Sequence, residues 1–506
     1  MAGMGMSAFR ALVMLSLYIT AKAIGRTYDL LTAAGIAAAL LLLDQPLYLL
    51  HTGFQFSFCA VLSMGILAPA LPGKILKAAA VPLGTLPVYL RAYGTFPLWS
   101  LLLNLLVTPL MTVVMPSAGS AVLAEGLFPS GGAFSPAALA AFPAEAVLDL
   151  YRFLAELSEK LPLHRLVIGR PSPAQNAVYY AMLLALSAVS VHLQMPHVRR
   201  SLENAGLEAG FITCDPRNSA GPDACGSRNS ACPDACSSRN SACPDAYGPS
   251  MRLTRLLGKL FRRVRLKDNR QRKRFGGLSA VLCLCAAVLV LTRNSGPAFE
   301  MDFLYVGQGD GIYISCDGMR FLVDGGSSTK EELAKYTILP FLRCKGAGRL
   351  DGIILTHEDG DHCSGILELL EAAAEGAPEL DIGHIYLPEI DDASKGEKYR
   401  RIEELAEKAG IPVSGISRGQ RIRAGSLTLD CLHPASGASY ERPNEYSTTL
   451  LLRRGDFSAL LTGDLDGQGE EDLTKYLLSL ENGSQSADGT AGLLPLPVSL
   501  LKVSHH

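Results

Sequence analysis

The sequence predicts a multi-span α-helical membrane domain followed by an α+β domain of the αββα-sandwich kind. Three observations predict it. Up to about residue 195 the chain is a succession of apolar runs with few charges, and from about residue 299 charges, glycines and short alternating runs take over. The second half also holds a stretch, 355–362, reading Leu-Thr-His-Glu-Asp-Gly-Asp-His, which places His357, Asp359, Asp361 and His362 within six residues. At 506 residues and 48% hydrophobic content, the chain exceeds one ordinary soluble domain and is more apolar than such a domain needs to be.

The membrane expectation rests on length. A helix needs roughly 20 mostly apolar residues to cross a bilayer, and the runs 30–50, 53–71, 96–115 and 176–195 meet or approach that. Weaker runs at 9–24, 78–90 and 137–154 bring the expected count to about six to eight spans. Residues 277–292 form one more, short span, which Arg274 and Arg293 extend by snorkelling. Asp44, Gln45, His51 and Gln55 cluster where two runs meet, and they read either as helix-end caps or as the lining of a polar path.

A net charge of −2 argues against a globally basic nucleic-acid binder, so charge acts locally. Eleven Lys and Arg lie between Met251 and Phe275 against the single acid Asp268. An apolar run follows at once, so the cluster reads as a positive-inside anchor that keeps this segment cytoplasmic and sends the chain after Ser295 outward. Between the two halves, Arg-Asn-Ser-Ala recurs at Arg217, Arg228 and Arg239, a period of eleven. This repeat, 217–249, is polar and lacks apolar core residues, so its cysteines read as part of a disordered insertion more readily than as a zinc site. The expected organisation is a membrane region over 1–197, a cytoplasmic linker over 198–275, a span over 277–292 and the sandwich over 299–506.

In the sandwich, strands are expected at 301–306, 311–316, 320–323, 352–355, 384–387, 427–432, 448–453, 458–462 and 500–503, with helices over 330–344 and from residue 364. Turn signals at Gly307-Gln-Gly-Asp310 and Asp317-Gly318 make the first three strands hairpins. Carboxylates and histidines recur at strand ends. Asp464 follows one strand and His505 another, and with His357, Asp359, Asp361 and His362 they form an N/O donor set without thiolate. Such a set favours Zn or Mn, and two such ions generate a nucleophile near neutral pH. Cys363 reads as a small buried hydrophobe, and His384 and His433 as structural histidines.

These motifs carry a resemblance. His357-x-Asp-x-Asp-His362 is similar to the metallo-β-lactamase signature, with Asp359 where many members have histidine. The series Val306-Gly-Gln-Gly-Asp310, Phe321-Leu-Val-Asp-Gly-Gly326, Asn444-Glu-Tyr-Ser447, Leu461-Thr-Gly-Asp464 and Leu501-Lys-Val-x-His-His506 resembles that of ComEC-type DNA-internalisation competence proteins. In the first half, Ser7-x-x-Arg10-Ala11, Gly53-Phe-Gln-Phe-Ser57 and Asn104-Leu-Leu-x-x-Pro109 resemble the competence transmembrane region. Tyr305 departs from the pattern, standing where the family has aspartate.

The resemblance implies a multi-pass protein of the bacterial inner membrane that passes single-stranded DNA into the cytoplasm. Its metallo-β-lactamase-like domain would lie on the periplasmic or extracellular side and act as a metal-dependent nuclease on the other strand. It implies two divalent ions, with His357 and Asp359 on one, Asp361 and His362 on the other, Asp464 bridging and His505 completing the second. Asp361, His362 and Asp464 would be the catalytic group, Asp310 and Asp324 would brace the loops, and Glu445 is a weaker candidate for contact with metal or substrate. DNA, membrane lipid and other competence proteins are the expected partners. The chain reads as a fragment cut at both ends. Two alternatives stay open: a membrane-tethered hydrolase of small esters, lactams or thioesters, and a DNA channel whose outer domain is inactive.

Overall fold

The computed structural model describes residues 6–503 apart from 72–76, 97, 128–134, 160–165, 205–268, 294–295, 377–378 and 482–497. The 11-residue repeat, most of the basic cluster and His505 therefore lie outside the described residues.

The first half is helical: Met6–Ala23, Leu30–Asp44, Thr52–Leu62, Ala80–Tyr93, Leu98–Leu127, Pro136–Glu159, Pro173–Asn204 and Asn269–Thr292. The run 30–50, expected as one span, is divided. Its helix ends at Asp44 and a 3-10 turn, Pro46–Leu50, follows, because Pro46 lacks the N–H that would continue the ladder. His51 then caps the next helix, its Nδ1 accepting from Gly53 N–H at 3.1 Å, while Gln55 donates to the Leu49 carbonyl at 3.0 Å. At this turn, His51 and Gln55 serve as helix-end caps. The run expected over 96–115 belongs to a longer helix, Leu98–Leu127.

Among the described residues two helices, Thr52–Ala70 and Pro109–Leu127, are long and apolar enough to cross a membrane. The helices leave large apolar side chains in the open, including Leu43, Leu50, Val122, Leu123 and Phe142. Apolar surface of this extent calls for a partner other than water.

The chain divides into two compact units, Met1–Thr85 with Ala177–Val290, and Leu86–Asn176 with Leu291–His506. In the first, Ala37, Leu41, Phe54 and Phe58 form a small core. In the second, Ser117 Oγ donates to the Ala140 carbonyl and Tyr151 to that of Val107, joining Leu98–Leu127 to Pro136–Glu159. Also within it, Arg170 N–H donates to the Cys344 carbonyl at 2.8 Å. Gly94 (φ 67°) passes so near Arg343 that a Cβ there would collide with backbone.

The last part of the second unit is a two-sheet sandwich. Its first sheet contains β1 (Phe299–Phe303), β2 (Ile312–Cys316), β3 (Met319–Val323), β4 (Gly352–Ile354), β5 (Ile385–Pro388) and β6 (Val413–Ile416), in the order β6-β5-β4-β3-β2-β1. The hairpins β1–β2 and β2–β3 are antiparallel, and β3 through β6 pair in parallel. The second sheet contains β7 (Arg421–Ala424), β8 (Leu427–His433), β9 (Thr449–Arg454), β10 (Phe457–Leu461) and β11 (Leu500–Lys502), paired in that order. Only its last pair, β10 with β11, is parallel.

Strand alternation builds the core. Ile312, Ile314 and Cys316 of β2 face Leu427, Leu429, Leu450 and Leu452 of the second sheet across a dry interior. Tyr313 and Leu322 point the other way, into a layer with Ile366, Leu370, Ile402 and Leu405 from helices Gly360–Ala374 and Glu397–Ala409. Leu473 of helix Gly467–Glu481 packs on the outer face of the second sheet with Leu432 and Leu451. Helices thus cover both sheets, the αββα arrangement.

Two expectations are corrected, and two strands lie outside the expected set. Strands β6 and β7, reading Val-Ser-Gly-Ile and Arg-Ile-Arg-Ala, are four-residue edge strands with too few apolar residues to stand out as a run. The helix expected over 330–344 is a π turn, Ala334–Ile338, running into Leu339–Lys345, which stops at left-handed Gly346. The helix expected from residue 364 begins at Gly360, so Asp361 and His362 lie in its first turn.

Candidate metal centre

Strand β4 delivers the chain to Leu355, and residues 356–359 carry it across the end of the sheet to helix Gly360–Ala374, which Asp359 precedes without a side-chain capping bond. His357 therefore projects from the loop and His362 from the first helical turn. Both are buried, and their ring centroids lie 4.1 Å apart. Asp464, just past β10, completes a buried group: one donor atom from each of His357, His362 and Asp464 lies within 4.8 Å of the others. The three come from both sheets, where the strand ends meet.

Backbone crowding sets this geometry. Asp310 N–H donates to the Asp361 carbonyl at 3.0 Å, and Gly325 N–H to the His362 carbonyl at 2.8 Å. A Cβ on Gly326 would collide with the Asp361–His362 peptide, and Gly309 adopts φ 147°, so glycine is required at both. The two glycine turns legible in the sequence thus grip the helix start.

Asp324 ends β3 in the left-handed region, φ 56°, which turns its carboxylate inward. Its oxygens accept from Thr356 N–H at 2.8 Å and Thr356 Oγ1 at 2.7 Å, and Oδ2 lies 2.9 Å from His362 Nδ1. With Nδ1–H donated there, His362 turns Nε2 toward Asp464 Oδ2, 3.3 Å away. Nδ1 of His357 is 3.1 Å from Thr356 Oγ1 and 3.5 Å from Ser447 Oγ, while its Nε2 lies 3.7 Å from Asp359 Oδ2. Each imidazole is thereby oriented by its Nδ1 side, as metal-bound histidines are.

Charge follows from this packing. Burial opposes protonation of His362, but the Asp324 and Asp464 carboxylates outweigh it and push its pKa up to about 10. Burial and the neighbouring His362 charge bring His357 down to about 4. Burial, then the Asp361 charge, raises Asp359. Between those limits the added proton sits on His362, and a divalent ion such as Zn or Mn fits the same N/O donors without thiolate.

The remaining sequence candidates fall around this group. Asp310 pairs with Lys502, and its Oδ2 is 4.0 Å from His362 Nδ1. Asp361 is partly exposed at the helix start. Glu445 is turned elsewhere: its carboxylate accepts from Arg442 Nη2 at 2.9 Å and from Glu441 N–H at 3.1 Å, closing a local cap. What its motif brings to the centre is Ser447, whose Oγ also accepts from Asp464 N–H at 3.1 Å. Sequence reasoning misses Thr356, Ser447, Lys502 and Glu358 as site residues. Glu358 accepts from Tyr446 Oη at 2.7 Å, Gly396 N–H at 2.7 Å and Tyr399 N–H at 3.0 Å, tying the loop to helix Glu397–Ala409. All four lie inside or beside the quoted motifs, but none is a ligand type that spacing alone singles out. His433 and His384 bond the Glu445 carbonyl and Ser414 Oγ, away from the centre.

Two family models match the chain, Competence protein over residues 1–192 and Metallo-beta-lactamase superfamily over residues 304–505. ComE operon protein 3 of Bacillus subtilis is 21% identical over 529 aligned residues, covering 100% of this chain and 54% of that protein. Recombination protein 2 of Haemophilus influenzae is 28% identical over 200 residues, 39% of this chain and 22% of its own length. The chain spans about half the length of the first of these relatives. The solved metallo-beta-lactamase fold protein YhfI from Bacillus subtilis overlaps 32% of this chain and 62% of its own, at 18% identity and a TM-score of 0.23, too low to bear on function. With a region matching the Competence protein model and one matching the Metallo-beta-lactamase superfamily in series, and ComE operon protein 3 aligning along its whole length, the chain has the two-part organisation of the ComEC-type competence proteins.

Proposed function

We propose that this chain is a multi-pass inner-membrane protein of natural DNA uptake that passes a single strand into the cytoplasm, while its outer metallo domain hydrolyses the other strand. The observation that carries the hydrolytic part is the convergence of His357, His362 and Asp464 donors within 4.8 Å, on a chain that also has a competence region. Under this reading His357 with Asp359 would hold one ion and His362 with Asp361 a second, Mn or Zn, with Asp464 and His505 as further ligands. Bound there, such ions supply Lewis-acid polarisation of a phosphodiester and a nucleophile near neutral pH. The chain's own part is to orient the imidazoles through Asp324 and Thr356 and to keep the donors buried.

The proposed organisation remains a membrane region over 1–197, a cytoplasmic linker over 198–275, a span over 277–292 and an outer domain over 299–506. Two contacts support its sidedness. Gln175, at the start of helix Pro173–Asn204, donates to the Arg293 carbonyl at the end of Asn269–Thr292, at 2.8 Å. A second contact, Cys283 Sγ to the Met182 carbonyl at 3.9 Å, makes the two helices antiparallel, so under this reading the linker and the outer domain lie on opposite sides of the membrane. Lipid would cover the exposed Leu43, Val122 and Phe142.

The test is a substrate panel on the purified chain in detergent with Mn2+ or Zn2+: end-labelled duplex DNA, single-stranded DNA, nitrophenyl esters and a lactam. Divalent-dependent cleavage of DNA, abolished in His357→Ala, is the expected result. Ester or lactam turnover without DNA cleavage would replace the nuclease with the tethered-hydrolase reading.

A further inference from the structure

A lysine ammonium lies buried among the acids of the metal centre, and the fold explains how it gets there. Strand β11 runs parallel to β10 with Lys502 opposite Leu461, and Leu500, two residues earlier on the same face, packs against the interior of the sandwich. Lys502 thus projects inward at the strand end, beside Asp464. Its side chain is 9% exposed. Burying an ammonium is costly unless every N–H finds an acceptor. Here three acceptors meet its three donors: the Asp310 carboxylate, the Gly463 carbonyl at 2.9 Å and Asp464 Oδ1 at 3.4 Å.

The two oxygens of Asp464 are thereby separated in role. Oδ1 faces Lys502, and Oδ2 faces His362 Nε2 at 3.3 Å. We propose that Lys502 is a positioning residue of the centre, held by Asp310, which retains Oδ1 of Asp464 so that this carboxylate offers the single oxygen Oδ2 beside the two histidines. The proposal rests on the metal-centre reading above and gives Asp310 the role of counterion to Lys502.

Charge sets the direction of the test. Lys502→Met keeps the length of the side chain but removes a positive charge a few ångströms from the donors and releases Oδ1. Both changes favour a cation, and within a few ångströms in a buried site the Coulomb gain exceeds the loss of orientation. Titrating the full chain in detergent with Mn2+ alone, by calorimetry and Mn2+ electron paramagnetic resonance, K502M is expected to bind about tenfold more tightly than wild type, because a like charge beside the ion is gone. An altered resonance line shape and slower DNA cleavage are expected alongside. Equal or weaker Mn2+ binding by folded K502M overturns the proposal while leaving the metal centre in place; absence of Mn2+ binding by wild type overturns both. Should K502M fail to fold, Asp310→Asn carries the test. The ammonium then has Asp464 as its only carboxylate, Mn2+ binding is expected to weaken at least about tenfold, and wild-type affinity in D310N overturns the proposal.

Discussion

Nδ1 of His362 lies 2.9 Å from Oδ2 of Asp324, and this one contact decides which nitrogen of the imidazole is turned toward Asp464. Asp324 does so from a left-handed backbone position, φ 56°, which asparagine also tolerates. Asp324→Asn therefore removes the charge with little backbone cost. Divalent-metal affinity is expected to fall by about 10- to 100-fold, read by calorimetric titration with Mn2+. Unchanged affinity would mean that Asp324 does not orient His362 for metal.

The two histidines set opposite limits on the pH stability of the metal-free chain. His362 is raised from 6.5 to about 10, so its contribution is complete below 6.5 and lost as pH rises through 10. His357 is lowered from 6.5 to about 4, so its contribution is present above 6.5 and lost as pH falls through 4. Thermal unfolding of chelator-treated protein between pH 4 and 10 should give a midpoint highest near 6.5. Replacing His362 with Gln should flatten the alkaline side; a wild-type midpoint that climbs steadily to pH 10 would contradict the assignment.

The sandwich is legible in the sequence because β2 and β8 largely alternate, β3 and β9 carry short apolar runs, and the turns after β2 and β9 hold Gly318 and Gly455. Edge strands β6 and β7 are not, since an edge has a solvated side and tolerates Ser, Gly and Arg where a central strand does not. At the centre, His357, His362 and Asp464 can be named from residue type, because few other roles place buried histidine and aspartate at strand ends. Asp324 can be named as a brace because its motif ends a strand. Thr356, Ser447 and Lys502 act through hydrogen bonds that only the folded juxtaposition of three segments creates. In the Asn444–Ser447 motif the acid Glu445 draws attention by its charge, yet Arg442 neutralises it locally.

Tyr446 couples the metal loop to the second sheet through its hydroxyl, which donates to the buried Glu358 carboxylate at 2.7 Å. Tyr446→Phe deletes only that donor. A hydrogen bond to a charged group contributes about 1.5–3 kcal/mol, and a loss of that size in denaturant unfolding is expected. A change under about 0.5 kcal/mol would mean that water replaces the hydroxyl without cost.

Leu452 lies fully buried between the sheets with Leu429 and Ile314. Leu452→Ala should cost about 2–5 kcal/mol by lost transfer energy and the cavity left behind. Denaturant unfolding followed by far-ultraviolet circular dichroism measures this, and a loss below about 1 kcal/mol would show that the interior closes over the gap.

Everything proposed for the chemistry of the metallo-β-lactamase domain depends on His357, His362 and Asp464 holding a divalent ion. Metal content after equilibrium dialysis against Mn2+ and, separately, Zn2+, measured by mass spectrometry on the wild-type chain and on a His362→Ala/Asp464→Ala variant with wild-type circular dichroism, decides it. At least one ion per wild-type chain is expected, and less than about a tenth of that in the variant. Equal occupancy in the two proteins would contradict a metal centre at these residues.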